Sequence, residues 1–445
     1  MEVKGIMIVM KFGGTSVGDF ERIKNVASII KSNLNENPVI VVSALGGVTD
    51  NLISIANLSL TEDEVKAIFN KIIEKHHTTI EKLNIDEKII QEDINRLNEL
   101  VNKIITVKKT TSQDMDLLMS FGERMSSKIL ASYLSAIGIK ALPYNAYDIG
   151  MITNSNFGNA DILPYTYQKL KKNLSSVINK GVVPVITGFI GKSKDGSITT
   201  LGRGGSDYTA SIIGAAMGAS EIQIWTDVDG ILTADPKIVK TAKSIDVVSY
   251  EEASELALSG AKVLHPKTIL PAIEKNIPVR ILNTFNPSHK GTLVLNRTAE
   301  KSRVVSITYK KHIVVISLSN RSMLKNELLK AASGVLSSNG IFEYSISASE
   351  SSVSITIDEK EHTPALISDL KKIGNVESSI NGVKVSIVGN DISFIPKISD
   401  LISSSLKGIK IEIMPSSESN INHSIVVTER QANSAVKRLH TAFFS

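Results

Sequence analysis

The chain has 445 residues, 42% hydrophobic and 21% charged, with 50 Lys and Arg against 45 Asp and Glu and no cysteine. That length predicts two or three domains; the net charge of +5, spread along the chain, argues against nucleic acid as a partner, and the longest apolar runs fall far short of the roughly 20 residues of a membrane helix. Without cysteine there is no disulfide or thiolate metal site, and with no export signal at the start the expected compartment is a reducing cytoplasm.

"GIMIVMKFGG" reads as a strand entering a glycine turn, "DFERIKNVASIIKSN" as a helix, and "PVIVVSALGG" as a second strand and glycine turn. Continuous apolar strands alternating with helices predict an α/β, three-layer fold with a mainly parallel sheet, and ligands in such folds bind beyond the carboxyl ends of the strands. In "KFGGTS", Lys11 to Ser16, glycines let the backbone approach an anion, the next helix points N–H groups at it, and Lys11 adds a positive charge. A strand-end lysine before a plain tight turn reads the same way. From about Leu60 to Val107, charged helices with apolar residues at spacings of three and four predict a helical insertion or lid, spanning about 60–115. Within it only His76 and His77 are adjacent histidines, and neighbours on a helix face apart, so no paired metal site is expected. "MSFGERMSSKILASYL" places Glu123 and Arg124 at the opening of a helix. Glu123 there suits a substrate ammonium group, although an acidic first turn is also favourable for the helix alone.

After Pro164 the alternation resumes. "GFIGKS" ends like a P-loop, but two residues separate its glycines where the motif requires four. "GRGGSD" begins like a dinucleotide fingerprint, yet Asp207 takes the place of the third glycine and would repel a pyrophosphate. What this loop offers is a helix N-terminus near Ser206, an Arg203 fork for a carboxylate, and Asp207 to orient a lysine or a metal-bound phosphate. "WTDVDGILTADPK", Trp225 to Lys237, follows a strand with three aspartates, a glycine and a proline. It reads as a nucleotide loop or as a turn-rich connection. The C-terminal third then spells strand, helix, two strands, helix twice, with "ASESSVSITIDE" echoed by "SSESNINHSIVVTE". A duplicated α+β unit without a catalytic cluster suits a regulatory ligand or a dimer contact; two packing modules without a ligand are the alternative.

"KFGGTSV", "VVSALGGVTD", "SFGER", "TGFIG", "TLGRGGSDYTA", "WTDVDGILTADP" and "SYEEASELALSGAKVLHP" stand in the order and approximate spacing of the aspartate kinase family, and the C-terminal repeat resembles its tandem ACT modules. The resemblance spans the whole chain. It implies an amino acid kinase domain over 1–305 and ferredoxin-like ACT modules over 306–390 and 391–445, with no homoserine dehydrogenase part after them, hence a monofunctional enzyme. It also implies transfer of the ATP γ-phosphoryl group, with Mg2+, to the side-chain carboxylate of L-aspartate, giving 4-phospho-L-aspartate, the first step toward lysine, threonine and methionine. A carboxylate with a pKa of about 3.9 is already ionised at neutral pH. No general base is needed, so catalysis rests on positioning and charge stabilisation.

By resemblance, Lys11 is the principal transition-state cation, Gly13 and Gly14 donate backbone N–H groups, and Asp207 organises the lysine. Arg203 and Glu123 clamp the α-carboxylate and α-ammonium of aspartate, with Ser43, Thr49 and Ser206 as hydroxyl contacts. Thr226, Asp227, Asp229, Lys237 and Lys262 surround ATP, and no protein metal site is expected. Leu232 stands where many members have tyrosine and Lys237 where they have arginine, which bears on ATP affinity because a lysine lacks the bidentate fork. An amino-acid effector at the ACT modules and a homodimer or higher homo-oligomer are expected. Two other readings stand beside this one: another amino acid kinase, acting on glutamate or acetylglutamate, and a catalytically silent amino-acid sensor.

Overall fold

The computed structural model describes residues 6–261, 264–298, 302–341, 344–413 and 420–445. They form two compact units, Met1–Ile231 with Leu264–Asn296, and Leu232–Val263 with Arg297–Ser445. None of the described helices is long and apolar enough to cross a membrane.

In the first unit, the sheet runs Ala141–Tyr144, Val183–Thr187, Val39–Val42, Ile8–Phe12, Glu221–Thr226, Val279–Asn283, Thr292–Leu295. Its pairs are parallel up to Val279–Asn283, which meets Thr292–Leu295 in an antiparallel pair. Ile8, Val9, Met10 and Phe12 are buried, as a central parallel strand covered on both faces requires. Register sets Lys11 between Val41 and Ile224. The strand thus delivers Lys11 at its carboxyl end, next to the turns that end its two neighbours.

The long helices have clear local causes. Thr61 with Glu64 and Thr111 with Asp114 form capping boxes that start Glu62–Leu83 and Ser112–Ala136. Left-handed Asn84 and Lys108 end Glu62–Leu83 and Gln91–Val107. These helices are no lid over a finished sheet: Val65, Ile72, Leu97, Val101, Phe121 and Met125 share one buried core with Ile8, Met10 and Val42. Glu123 and Arg124 are equally displaced from the expected position. They lie in the middle of the 25-residue helix Ser112–Ala136, because the capping box at Thr111 begins that helix three turns earlier.

In the second unit, an antiparallel sheet runs Ser345–Ala348, Ser352–Asp358, Arg303–Ser319, Asn375–Asn390, Asn422–Thr428, Ile411–Ile413. The two long strands serve two cores. One gathers Val314, Ile316, Leu328, Val353 and Leu366; the other gathers Ile307, Val385, Ile425, Val436 and Leu439, joined by Ala234 and Val239. The chain enters the second core, leaves it for the first, and returns.

Candidate active site

At the end of the central strand, Lys11 Nζ lies 2.6 Å from Asp207 Oδ1, both side chains largely buried. Asp207 belongs to the first turn of the helix Gly205–Met217, so the carboxylate sits where the helix dipole also favours negative charge. Lys11 folds back over the glycine turn: a Cβ at Gly13 would stand 3.4 Å from its Nζ. The Gly13 N–H donates to the Trp225 carbonyl at 3.3 Å, where the sequence reading assigned both glycine N–H groups to a phosphate. The Gly14 N–H makes no hydrogen bond within the described residues. Ser16 is structural, its hydroxyl donating to the Trp225 carbonyl and meeting Thr284.

Hydroxyl groups join this pair to the next strand. Ser43 Oγ donates to Ser206 Oγ at 3.0 Å, and Ser206 adjoins Asp207. Close packing enforces the arrangement, since a Cβ at Gly188 would fall 2.6 Å from the Ser206 Cβ, and one at Gly122 would fall 2.6 Å from the Ala44 Cβ. That second approach brings the helix carrying Glu123 onto the turn after Ser43. Glu123 is 3% exposed; its Oε1 accepts the Ala44 N–H at 3.2 Å and its Oε2 has no partner within the described residues. Burial pushes its pKa up to about 8, against the opposing pull of the Ala44 N–H. Thr49 lies at the start of the helix Val48–Ile55, half-buried, its hydroxyl unbonded within the described residues. Arg124 turns away, paired at 2.5 Å with buried Asp93 and lying over the Phe121 ring.

The loop "LGRGGSD" uses its glycines for conformation and room. Gly202 and Gly204 have φ of 77° and 70°, a region side chains rarely adopt. A Cβ at Gly202 would lie 2.6 Å from Asn159 Oδ1, and one at Gly204 would lie 2.8 Å from Thr268 Cγ2. Between them Arg203 is exposed and makes no hydrogen bond or ion pair within the described residues.

The nucleotide candidates divide between the units. Thr226 ends the strand beside Lys11, its hydroxyl 3.3 Å from Asp227 Oδ1. Asp229 accepts from the side chains of Asn283 and Asn286, which ties the loop to the adjoining strand end. Lys237 belongs to the second unit, where its N–H donates to Asp235. That segment is bound to the antiparallel sheet and last helix of the second unit: the Ile307 N–H donates to the Thr233 carbonyl, Ser306 Oγ to the Leu232 carbonyl, and Thr233 Oγ1 meets His440 Nε2 at 2.9 Å. Lys262 lies outside the described residues.

One residue of consequence escaped the sequence reading. Asp116 is fully buried, seven positions before Glu123 on the same helix, and accepts hydrogen bonds from Gly158 and Thr200. A spacing of seven places both carboxyl groups on one helix face, a signal legible once the helix is begun at Ser112. His76, by contrast, is buried and bonded to the Ile72 carbonyl. Among the described residues no cluster of three or more metal-ligating side chains occurs.

The site therefore unites a carboxylate-held ammonium, an unclaimed backbone N–H, two hydroxyls, a free guanidinium and a buried carboxyl group. Such a set accepts a small zwitterion beside a polyanion. The profile of the amino acid kinase family matches residues 7–283, and that of the ACT domain matches 385–443. Aspartokinase 1, chloroplastic, of Arabidopsis thaliana is 38% identical over 100% of this chain and 81% of its own length. Escherichia coli aspartokinase III in complex with aspartate and ADP, in the R-state, matches with a TM-score of 0.86 at 31% identity, over 99% of this chain and 100% of that one. The T-state of that enzyme with lysine and aspartate matches with a TM-score of 0.82 at 32% identity, over 99% and 100%.

Proposed function

The chain belongs to the aspartokinases of the amino acid kinase family, and on that premise we propose that Lys11 and Asp207 form its phosphoryl-transfer centre, with Glu123 and Arg203 holding the substrate. Aspartokinases transfer a phosphoryl group from a nucleotide to aspartate, and the ACT domain makes this one an allosteric enzyme of amino-acid biosynthesis. The observation that carries the residue assignment is the 2.6 Å Lys11–Asp207 pair at the end of the central strand.

In this reading a side-chain carboxylate oxygen of L-aspartate forms the new bond to the γ-phosphorus of ATP while the bond to the β,γ-bridging oxygen breaks, releasing ADP and 4-phospho-L-aspartate. Both reactants are anions. Lys11, held in place by Asp207, offsets the negative charge as it spreads over the transferring group, and the Gly14 N–H adds a fixed donor. Glu123 takes the α-ammonium, Arg203 the α-carboxylate, and Ser43, Ser206 and Thr49 the remaining polar atoms. Thr226, Asp227 and Asp229 line the nucleotide side, and the family resemblance also assigns ATP contacts to Lys237 and Lys262. Mg2+ would be carried by the ATP phosphates, as such ions usually are, and would neutralise part of their charge.

The ACT modules take an amino-acid effector, with lysine the first candidate since the E. coli relative was solved with it. The bonds from Ile307, Ser306 and His440 to residues 232–233 offer a route from the regulatory sheet to the segment carrying Lys237. The cysteine-free sequence suits the cytoplasm as its compartment. A homodimer or larger homo-oligomer is also proposed, through the end strands Ser345–Ala348 and Ile411–Ile413 of the regulatory sheet, whose outer edges pair with no other strand among the described residues; a monomer at micromolar concentration by sedimentation would refute it.

ATP-dependent acyl hydroxamate formation, with hydroxylamine trapping the acyl phosphate, tests the substrate assignment. Product is expected from aspartate and not from glutamate or acetylglutamate, with inhibition when lysine is added. Product from another acid, or from none, would overturn it.

A further inference from the structure

We propose that Asp116 is a positioning residue for the aspartate-binding loop, a buried anion that fixes both the backbone before Arg203 and the turn against which that loop lies. The proposal rests on the reading of Arg203 as the clamp for the substrate α-carboxylate.

Asp116 is fully buried, and no ion pair to it occurs within the described residues. Its two oxygens lie 3.0 Å each from the Gly158 N–H, Oδ2 lies 2.8 Å from the Thr200 N–H, and Oδ1 lies 2.9 Å from the Thr200 hydroxyl. An isolated buried carboxylate is costly, and here neutral donors supply the compensation. The choice of residue follows from that set. An ionised carboxylate has acceptors only and satisfies all three donors at once, whereas an amide of the same shape turns an NH2 group toward one of them.

Those donors bracket the loop. Thr200 precedes Arg203 by three residues, and its carbonyl accepts the Ala160 N–H at 2.8 Å, joining the strand end to the Gly158 turn a second time. Gly202 rests on that turn, since a Cβ there would reach Asn159 Oδ1 at 2.6 Å and the Gly158 carbonyl oxygen at 3.3 Å. Gly204, on the other side, rests on Thr268. The guanidinium itself has no partner within the described residues, so its aim is set by the backbone on either side. Among the described residues Asp116 is the one carboxyl group whose side chain bonds that backbone, and it shares a helix face with Glu123. One helix thereby positions both ends of the zwitterion clamp: Glu123 directly, Arg203 through Asp116.

Full-length Asp116→Asn, Thr200→Val and Arg203→Ala, with the double variants on the Arg203→Ala background, test this by steady-state kinetics with aspartate and ATP varied separately. Displacement of a positioning group by a fraction of an ångström predicts a KM for aspartate raised about tenfold in Asp116→Asn and two- to threefold in Thr200→Val, with kcat and the KM for ATP within about twofold of the parent. On the Arg203→Ala background neither substitution should raise the KM for aspartate further, since both act through the missing guanidinium. A purely structural role would lower the melting temperature and the active fraction without this aspartate-selective, non-additive pattern. An unchanged KM for aspartate in Asp116→Asn and Thr200→Val, or additive effects on the Arg203→Ala background, would overturn the proposal. If Asp116→Asn fails to fold, Thr200→Val, which keeps the backbone donor, carries the same comparison. An Arg203→Ala enzyme with the parent KM for aspartate would instead sink the clamp reading itself.

Discussion

Replacing Lys11 with alanine should lower kcat at least about a hundredfold, roughly 3 kcal/mol of lost transition-state stabilisation, in an enzyme that still folds but melts at a lower temperature, because the largely buried Asp207 loses its cation. The expectation follows from where the side chain stands. Its strand is held by Ile8, Val9, Met10 and Phe12 in the core, so removing an ammonium at the strand end spares the packing. What is lost is a cation already held at 2.6 Å by Asp207, with no reorganisation left to perform as charge spreads over the phosphoryl group. The loss should fall on kcat more than on either KM, because the ammonium matters most where the charge redistributes. Rapid-quench or coupled kinetics at saturating aspartate and ATP measures it, and parent-like turnover would remove Lys11 from the mechanism.

Glu123→Gln should raise the KM for aspartate about thirtyfold, roughly 2 kcal/mol, the scale of a hydrogen bond to a charged group in a buried site. Its pH signature is more specific. With the carboxyl group pushed up to about 8 by burial, the free enzyme holds Glu123 mostly protonated at neutral pH, and in the proposed role of Glu123 the substrate ammonium has to displace that proton. The parent's KM for aspartate should therefore fall as pH rises from 7 toward 8 and level off above; Glu123→Gln should lack this dependence. Stability runs the opposite way. The folded pKa lies above the ordinary value of 4.5, so between these limits the folded chain binds more protons than the unfolded one. The stability due to this group is complete below 4.5 and is lost as pH rises through about 8. In thermal melts from pH 6 to 9, Glu123→Gln should gain on the parent with rising pH, and a gap that does not widen would show that Glu123 does not titrate as described.

Glu123 also illustrates how a residue can be read in the wrong setting. Its identity is legible in "SFGER", but the glycine before it looks like a helix boundary. Gly122 instead lies inside a helix because Ala44 comes so near that a Cβ would meet it at 2.6 Å. A glycine required by an approach from a distant part of the chain cannot be told, in sequence, from one required by a turn. The same holds for "GRGGSD": its charges announce an unusual loop, yet the left-handed backbone at Gly202 and Gly204 and the approach of Asn159 and Thr268 explain why these glycines flank Arg203. The helices between Glu62 and Val107 looked like a lid because their polar faces are so charged; their apolar faces turned out to complete the core of the sheet.

By itself the sequence determined the family, the alternation of strands and helices, the duplicated regulatory unit and the chemical types at the site. These rest on short-range physics: strand apolarity, capping residues and glycine turns act over a few neighbours, and each leaves its mark where it acts. The tertiary structure alone decided that Ser43 meets Ser206 from 163 positions away, that the two long strands of the regulatory sheet serve both cores, and that Asp116 stands behind the Arg203 loop. Such pairings depend on which surfaces the whole core brings together, and burial then changes what the groups are, turning Glu123 from an ordinary acid into one that keeps its proton at neutral pH.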